Sequence, residues 1–487
     1  MTDSAVKSDK KLVAQGILWN CIQMVVNQSF AFIIKLVLAK LLFPEQFGLI
    51  GMATIFTGFV QVLNDLGVGA ALVQRKDKDL FEEHFHTAFW TGVTWSVGLY
   101  LIMSFIIGPL AAVFYKQPML TTIIPVLSLA ILFSPVNLVH KAQLTKLMDF
   151  KKIAFIDNIS NIVAGLISLV LAFLGAGVWA LVFNSVAIVI IAMPLYFKGT
   201  RWLPKFIWSK QAFKDIFGFG AYTTGSNIMN YMYNNIDYLL IGKLLGASVL
   251  GVYTLAFVLT DTFRSRVMAV INNVMYPVYG RKQNDFTALK NYYLKVVQFN
   301  CILIFPIMVF FIVLGQPFIV NVFGLKWQEA VVPLQILAGS VMFHILVSGN
   351  TALLRGVGRP GLEMKLQVIK ALIFLPTLAF GIEKYGIVGA AWAILFNKLV
   401  VVIVAQYSFR QISAVKIKVI DLCIAIKGAV IASLISYAVA YALSIAHINY
   451  ISAGIALFIS YSLAVYWLMN TELKAIYQIF RPAAQIN

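Results

Sequence analysis

The sequence predicts an all-α integral membrane protein of about fourteen transmembrane helices. They form two related six-helix lobes followed by two C-terminal helices. Three observations predict this: an apolar composition, basic residues crowded onto one side of the membrane, and short words that recur about 200 residues apart. Of 487 residues, 61% are hydrophobic and 12% are charged, about half the charged share of a soluble domain. Mean hydropathy is +0.87. A compact soluble body of this length cannot bury that much apolar surface, so lipid is the solvent for most of it.

Crossing the hydrocarbon core takes about 20 apolar residues in a helix, and backbone groups in lipid must bond within the segment. The spans that meet this length are 13–41, 47–73, 85–113, 120–144, 153–174, 178–197, 215–242, 249–278, 293–314, 330–354, 365–382, 386–408, 420–444 and 450–469. The first apolar run is too long for a signal-peptide core and is expected to stay as the first span.

Net charge is +19, from 38 Lys and Arg against 19 Asp and Glu. In a soluble protein that excess suggests nucleic acid; here it sets orientation, and no nucleic-acid partner is expected. With the N-terminus cytoplasmic, twenty-seven of the 38 cations fall in cytoplasmic segments or the span ends next to them, five on the opposite side counted the same way, and six deeper within spans. That asymmetry fits an even number of spans and both termini cytoplasmic.

The repeat comes next. Lys40-Leu41-Leu42 recurs as Lys243-Leu244-Leu245, with Gly48 matching Gly251 at an offset of 203. Pro125, Leu129 and Ala130 pair with Pro333, Leu337 and Ala338 at 208, and Trp179, Ala180, Phe183 and Asn184 pair with Trp392, Ala393, Phe396 and Asn397 at 213. Each pair falls at the same place in its half. Six spans return the chain to the same face, so the repeat is parallel, and two such lobes are expected to enclose a central cavity. The expected division is 1–198 for the first lobe, 199–214 for a connecting segment, 215–409 for the second lobe and 410–487 for the last two spans and tail. The connector mixes Trp202, Phe206, Trp208 and Phe213 with basic residues, which suits an amphipathic interfacial segment.

Polar residues inside spans face a bundle interior or a wet cavity. On the seventh span Thr223, Asn227, Asn230, Asn234 and Asp237 recur at spacings of four and three, which places them within about 80° of arc at 100° per residue. The first span carries Asn20, Gln23 and Asn27, with Lys35 on the flank. The second adds Gln61, Asn64 and Asp65. The eighth carries Asp261, Arg264 and Arg266; Asp261 and Arg264, three apart, can pair on one face, whereas Arg266 points elsewhere. Interhelical glue is the competing reading for any single amide. His84 and His86, beside Glu82 and Glu83, read as a solvated helix start and not as a metal site. Cys21, Cys301 and Cys423 form no close pair. No P-loop, HExxH, GxSxG or nucleotide fingerprint occurs, so neither catalysis nor a cofactor or metal is expected.

The segments LAKLLFPEQFGLIGMATIF (38–56), NDLGVGAALVQRKD (64–77) and AQLTKLMDFKKIA (142–154) resemble the polysaccharide exporter branch of the MOP flippase superfamily, the Wzx-type proteins that include the colanic acid exporter. The resemblance implies two six-helix lobes with two further helices beside them. It implies a substrate built as an oligosaccharide on undecaprenyl pyrophosphate, flipped by alternating access. It also implies cationic residues on the first, second and eighth spans that meet the pyrophosphate. Here the eighth supplies Arg264 and Arg266 and the first Lys35, while the second has no cation until Arg75.

The resulting expectation is a flippase for a lipid-linked surface-polysaccharide unit. Arg264, Arg266 and Lys35 would take the diphosphate. Asn20, Gln23, Asn27, Gln61, Thr223, Asn227, Asn230, Asn234 and Asp237 would contact the glycan, and Asp65 and Asp261 are candidates for ion coupling. Membrane lipids, a glycan polymerase and glycosyltransferases are the expected partners. A cation-coupled multidrug exporter is the rival within the superfamily; its cavity would carry more acid and aromatic character. A membrane polymerase or glycosyltransferase is the rival from another class; it would need a longer outer loop than the stretch near 315–329.

Overall fold

A computed structural model describes residues 27, 29–65, 68–74, 81–411, 417–470 and 472–473. Those residues are almost entirely helical, with no strand among them. The long helices are α1 (29–41), α2 (Pro44–Asp65), α3 (Glu82–Tyr115), α4 (Leu120–Lys146), α5 (Phe150–Phe173), α6 (Val178–Thr200), α7 (210–245) and α8 (247–281). They continue as α9 (Phe286–Phe323), α10 (Leu325–Gly356), α11 (360–385), α12 (387–411), α13 (Val419–Ile445) and α14 (Tyr450–Leu468).

Eleven segments among the described residues are long and apolar enough to cross a membrane. Two of these fold back on themselves. Gly246 (φ 86°, ψ −179°) separates α7 from α8, and Gly386 (φ 57°, ψ −137°) separates α11 from α12. At both points the backbone takes positive φ, which glycine adopts without a Cβ penalty. The arms then run side by side: Gly242 lies against Leu250, and Gly381 against Gly389. The hairpins match the predicted breaks between the seventh and eighth spans and between the eleventh and twelfth.

The chain clusters into two compact units, Met1–Gly251 and Val252–Asn487. In the first, α4 is the central helix, packed by α2, α3 and α6, with α5 on α6. In the second, α10 packs against α8, α9 and the α11–α12 hairpin. Each pairing in one unit has its repeat mate in the other, as a parallel repeat requires. The turns agree too. The α5–α6 turn closes on Gly177 with φ 58° and ψ −128°, close to the dihedrals at Gly386. The α1–α2 break at 42–43 and the α7–α8 break at Gly246 fall at the same place in the repeated Lys-Leu-Leu word.

The two extra helices attach to α9. Val309, Ala440 and Leu457 form a buried cluster with Phe310, Val313 and Met342 around it. Gly454 lets the α14 backbone meet the Phe310 ring, and the Tyr461 hydroxyl donates to the Cys301 carbonyl at 3.4 Å. At the other end of the pair Lys290 bridges Asp421 at 2.7 Å.

The connector, expected as an amphipathic segment, has no helix over its first nine residues after α6. Residues 201–209 are non-helical and lie as a strap along the start of α3. The Lys205 N–H donates to His86 Nδ1 (3.1 Å) and the Ser209 N–H to Thr87 Oγ1 (3.0 Å), while Trp90 Nε1 donates to the Lys205 carbonyl (2.8 Å). Trp202 stacks on His86 with centroids 5.1 Å apart. The solvated reading of His84 and His86 is therefore wrong. Both rings are buried, because the strap covers them: His84 faces Asp215 at 3.5 Å, and His86 accepts from the strap backbone.

Candidate functional site

The first unit carries the amide face. Asn227, Asn230 and Asn234 are exposed along one side of α7, and Asp237 at the end of the row is buried. Asn234 Nδ2 donates to the Asn230 carbonyl (2.8 Å) and to Asn230 Oδ1 (3.1 Å). The adjacent side of α7 is clamped to α2: the Tyr231 hydroxyl lies 3.0 Å from the carbonyl oxygens of both Thr54 and Ile55, and its ring fills the space where Gly58 has no Cβ. That contact fixes the rotation of α7 and leaves Asn227, Asn230 and Asn234 exposed. Three open amides at membrane depth are too costly to face hydrocarbon; they need a polar surrounding.

On α2 the polar residues divide. Asn64 is buried and donates to the Ile131 carbonyl (3.1 Å) and Ser134 Oγ (3.1 Å), which ties α2 to α4. Gln61 is exposed, with Nε2 3.0 Å from Ser134 Oγ, and Asp65 is exposed at the helix end. On α1, Lys35 is exposed and Asn27 half-buried. Asn20 and Gln23 lie outside the described residues, as do the side chains of Thr223 and Arg266.

The second unit carries the cations. Arg264 pairs with Asp261 as the three-residue spacing predicted: Nε and Nη2 both reach Asp261 Oδ1, at 2.8 and 2.6 Å. The carboxylate sits in a π-helical turn, Val258–Thr262, a bulge that recurs at functional sites. Lys398, Arg264 and Lys370 lie close enough to His344 for their charges to act on it, and His344 Nδ1 is buried without a hydrogen-bond partner. Lys370 also feels Glu363, which is buried and held by Arg355 at 2.7 and 3.0 Å. Sequence reasoning placed Lys370 and Lys398 inside spans but did not join them to Arg264, and it passed over His344. Four helices supply the group, so no single periodicity reveals it. Among the described residues no cluster of His, Cys, Asp or Glu is arranged to hold a metal ion.

The α1–α2 and α7–α8 turns meet each other in the first unit. A Cβ on Gly48 would run into the Ala247 carbonyl, and a Cβ on Gly251 into the Pro44 carbonyl. Gly48 and Gly251 are repeat mates at offset 203, and so are Pro44 and Ala247. Each glycine thus meets the repeat mate of the residue that the other glycine meets. Beside it Lys243 donates to the Phe114 carbonyl at the end of α3 and lies 4.4 Å from the Phe114 ring centroid.

Residues 37–332 match the family described as polysaccharide biosynthesis protein. The chain belongs to that family. Among curated relatives it is similar to the teichuronic acid biosynthesis protein TuaB of Bacillus subtilis (26% identity over 338 residues, 69% of each chain). It is similar to the lipopolysaccharide biosynthesis protein WzxC of Escherichia coli (25% over 399 residues, 80% of each). Among solved structures it superposes on the lipid II flippase MurJ in an inward closed conformation, with a TM-score of 0.71 at 13% identity, covering 94% of this chain and 100% of that one. It also superposes on an inward-facing MATE family multidrug transporter, with a TM-score of 0.63 at 15% identity over 81% and 99%. The structural likenesses establish the fold: an all-α bundle of long apolar helices shared with those two proteins. The family resemblance read from the loop words is borne out.

Proposed function

We propose that the chain flips an undecaprenyl-pyrophosphate-linked oligosaccharide across the bacterial inner membrane by alternating access, with both termini cytoplasmic. The observation that carries this reading is the open asparagine row on α7 in a member of the polysaccharide biosynthesis family. Amides donate and accept, so a row of them exchanges hydrogen bonds with many hydroxyl arrangements and suits the passage of a glycan. The names of the relatives, which concern teichuronic acid, lipopolysaccharide and, for an archaeal protein similar over 38% of this chain, a low-salt glycan flippase, support the same substrate class.

In this reading Arg264 and Arg266 take the diphosphate, with Lys35 on the opposite repeat. A guanidinium offers paired donors that fit phosphate oxygens, and attraction between opposite charges strengthens as the local dielectric falls. Asp261 holds Arg264 until substrate arrives, and Asp65 or Asp261 is the site for a coupling ion. Glycosyltransferases would supply the lipid-linked unit and a polymerase would consume it; the chain itself makes and breaks no covalent bond. The test is a vesicle assay in which purified chain and a fluorescent lipid-linked oligosaccharide are reconstituted and leaflet exposure is read with a membrane-impermeant quencher. Flipping of the lipid-linked sugar, without chemical change to it, is the expected result. Chemical conversion of the sugar in detergent, or export of cationic drugs in its place, would defeat the reading.

A further inference from the structure

The connector does more than join the repeats. Its backbone is held from the inner side, by His86, Thr87 and Trp90 of α3, so non-helical peptide groups keep partners without water. Its side chains turn the other way. Leu203 is 71% exposed, Phe206 89%, Ile207 41% and Trp208 57%. Phe206 is stacked on Trp90 at 4.3 Å, and Trp208 Nε1 is 3.2 Å from Thr91 Oγ1, so these rings are presented from a fixed base. Around them Lys198, Arg201, Lys205, Lys210 and Lys214 are all exposed. Glu82 lies 3.8 Å from Lys205, and with Glu83 and Asp215 makes three acids near these five cations, so positive charge remains in excess. The strap begins where α6 ends and stops where α7 begins, which sets it at the membrane boundary.

Four large apolar side chains within six positions, open and accompanied by cations, would be an aggregation hazard in water. At a bilayer surface they fit: apolar groups enter the boundary between headgroups and acyl chains while cations remain at phosphate level. We propose that the strap 201–209, with Lys198, Lys210 and Lys214, is a binding surface for anionic phospholipid in the leaflet on the basic side of the membrane. The charge excess selects an anionic headgroup over a zwitterionic one. Because the strap is hydrogen-bonded to α3, the surface anchors the first repeat.

The test uses the full-length chain in nanodiscs. A fluorophore is placed at F206C in a background with Cys21, Cys301 and Cys423 replaced, and lipids carry a quencher at headgroup depth on either phosphatidylglycerol or phosphatidylcholine. Quenching should favour the phosphatidylglycerol probe by roughly fivefold for each cation within reach of the headgroups, and should weaken at high salt. Joint replacement of Arg201, Lys205, Lys210 and Lys214 by Gln should remove the preference while the chain stays monodisperse with unchanged helical content. Equal quenching by the two lipids overturns the anionic selectivity. A label reached only by aqueous quencher overturns the membrane contact altogether, and so does one shielded from both lipid and water.

Discussion

At the scale of single residues, charge placement decides most. Two Arg264 nitrogens donate to one oxygen of Asp261, and an ion pair that is largely withdrawn from solvent is worth less than the cost of breaking it. Replacing both Arg264 and Arg266 with Ala should abolish export of surface polysaccharide while membrane insertion stays normal, measured as cell-surface glycan against protein level in membranes. Undiminished export would remove the diphosphate assignment. Asp261→Asn separates two roles for the carboxylate. If it only neutralises Arg264, flipping persists with a lowered thermal midpoint, and adding Arg264→Gln recovers part of the loss. If it couples an ion, flipping stops and the second change recovers nothing. The Arg264–Asp261 pair was legible because three residues of one helix fix its geometry. His344 was not, because the cations around it come from α8, α11 and α12. His84 and His86 misled for the same reason: their partners, Asp215 and the Lys205 backbone, lie well over a hundred residues along the chain.

At the scale of elements, the repeated turns matter most. Gly48 and Gly251 each admit the other hairpin's backbone, so any larger residue must push the helix starts apart. Gly48→Val and Gly251→Val should each cost about 1–3 kcal/mol, the usual penalty for overpacking, read as a lowered unfolding midpoint in detergent. One contact serves both positions, so the double variant should lose clearly less than the two single losses combined. Full additivity would mean that the two glycines do not share an interface. Tyr231→Phe tests the neighbouring clamp: it removes a hydroxyl shared by the Thr54 and Ile55 carbonyls and should cost about 1 kcal/mol. Hairpin positions were visible beforehand, since Lys243 and the Glu383-Lys384 pair interrupt otherwise apolar runs close to Gly246 and Gly386. The strap was half visible: its composition marked an interface, but its extended backbone depends on acceptors from α3 that no local pattern announces.

At the scale of the whole molecule, orientation follows from charge, and it is the property on which the direction of flipping rests. The segments assigned to the cytoplasm, with the span ends next to them, hold twenty-seven cations against five on the other side, and translocating a basic segment is unfavourable. α13 and α14 form an antiparallel pair whose turn, near His447, carries no Lys or Arg. Alkaline phosphatase, which folds to an active form only outside the cytoplasm, should be active when fused at the α13–α14 turn and inactive when fused after Arg481. A fusion at the strap should be inactive as well, because Lys198, Arg201, Lys205, Lys210 and Lys214 hold it inside. Moving charge should move topology: adding three or four lysines to the α13–α14 turn sets it against the rule and should reduce activity of the fusion placed there, without altering fusions in the first repeat. Activity at the strap would invert the molecule. The cation-rich face would then lie outside, and an outward flippase would have to gather its diphosphate substrate from the wrong leaflet.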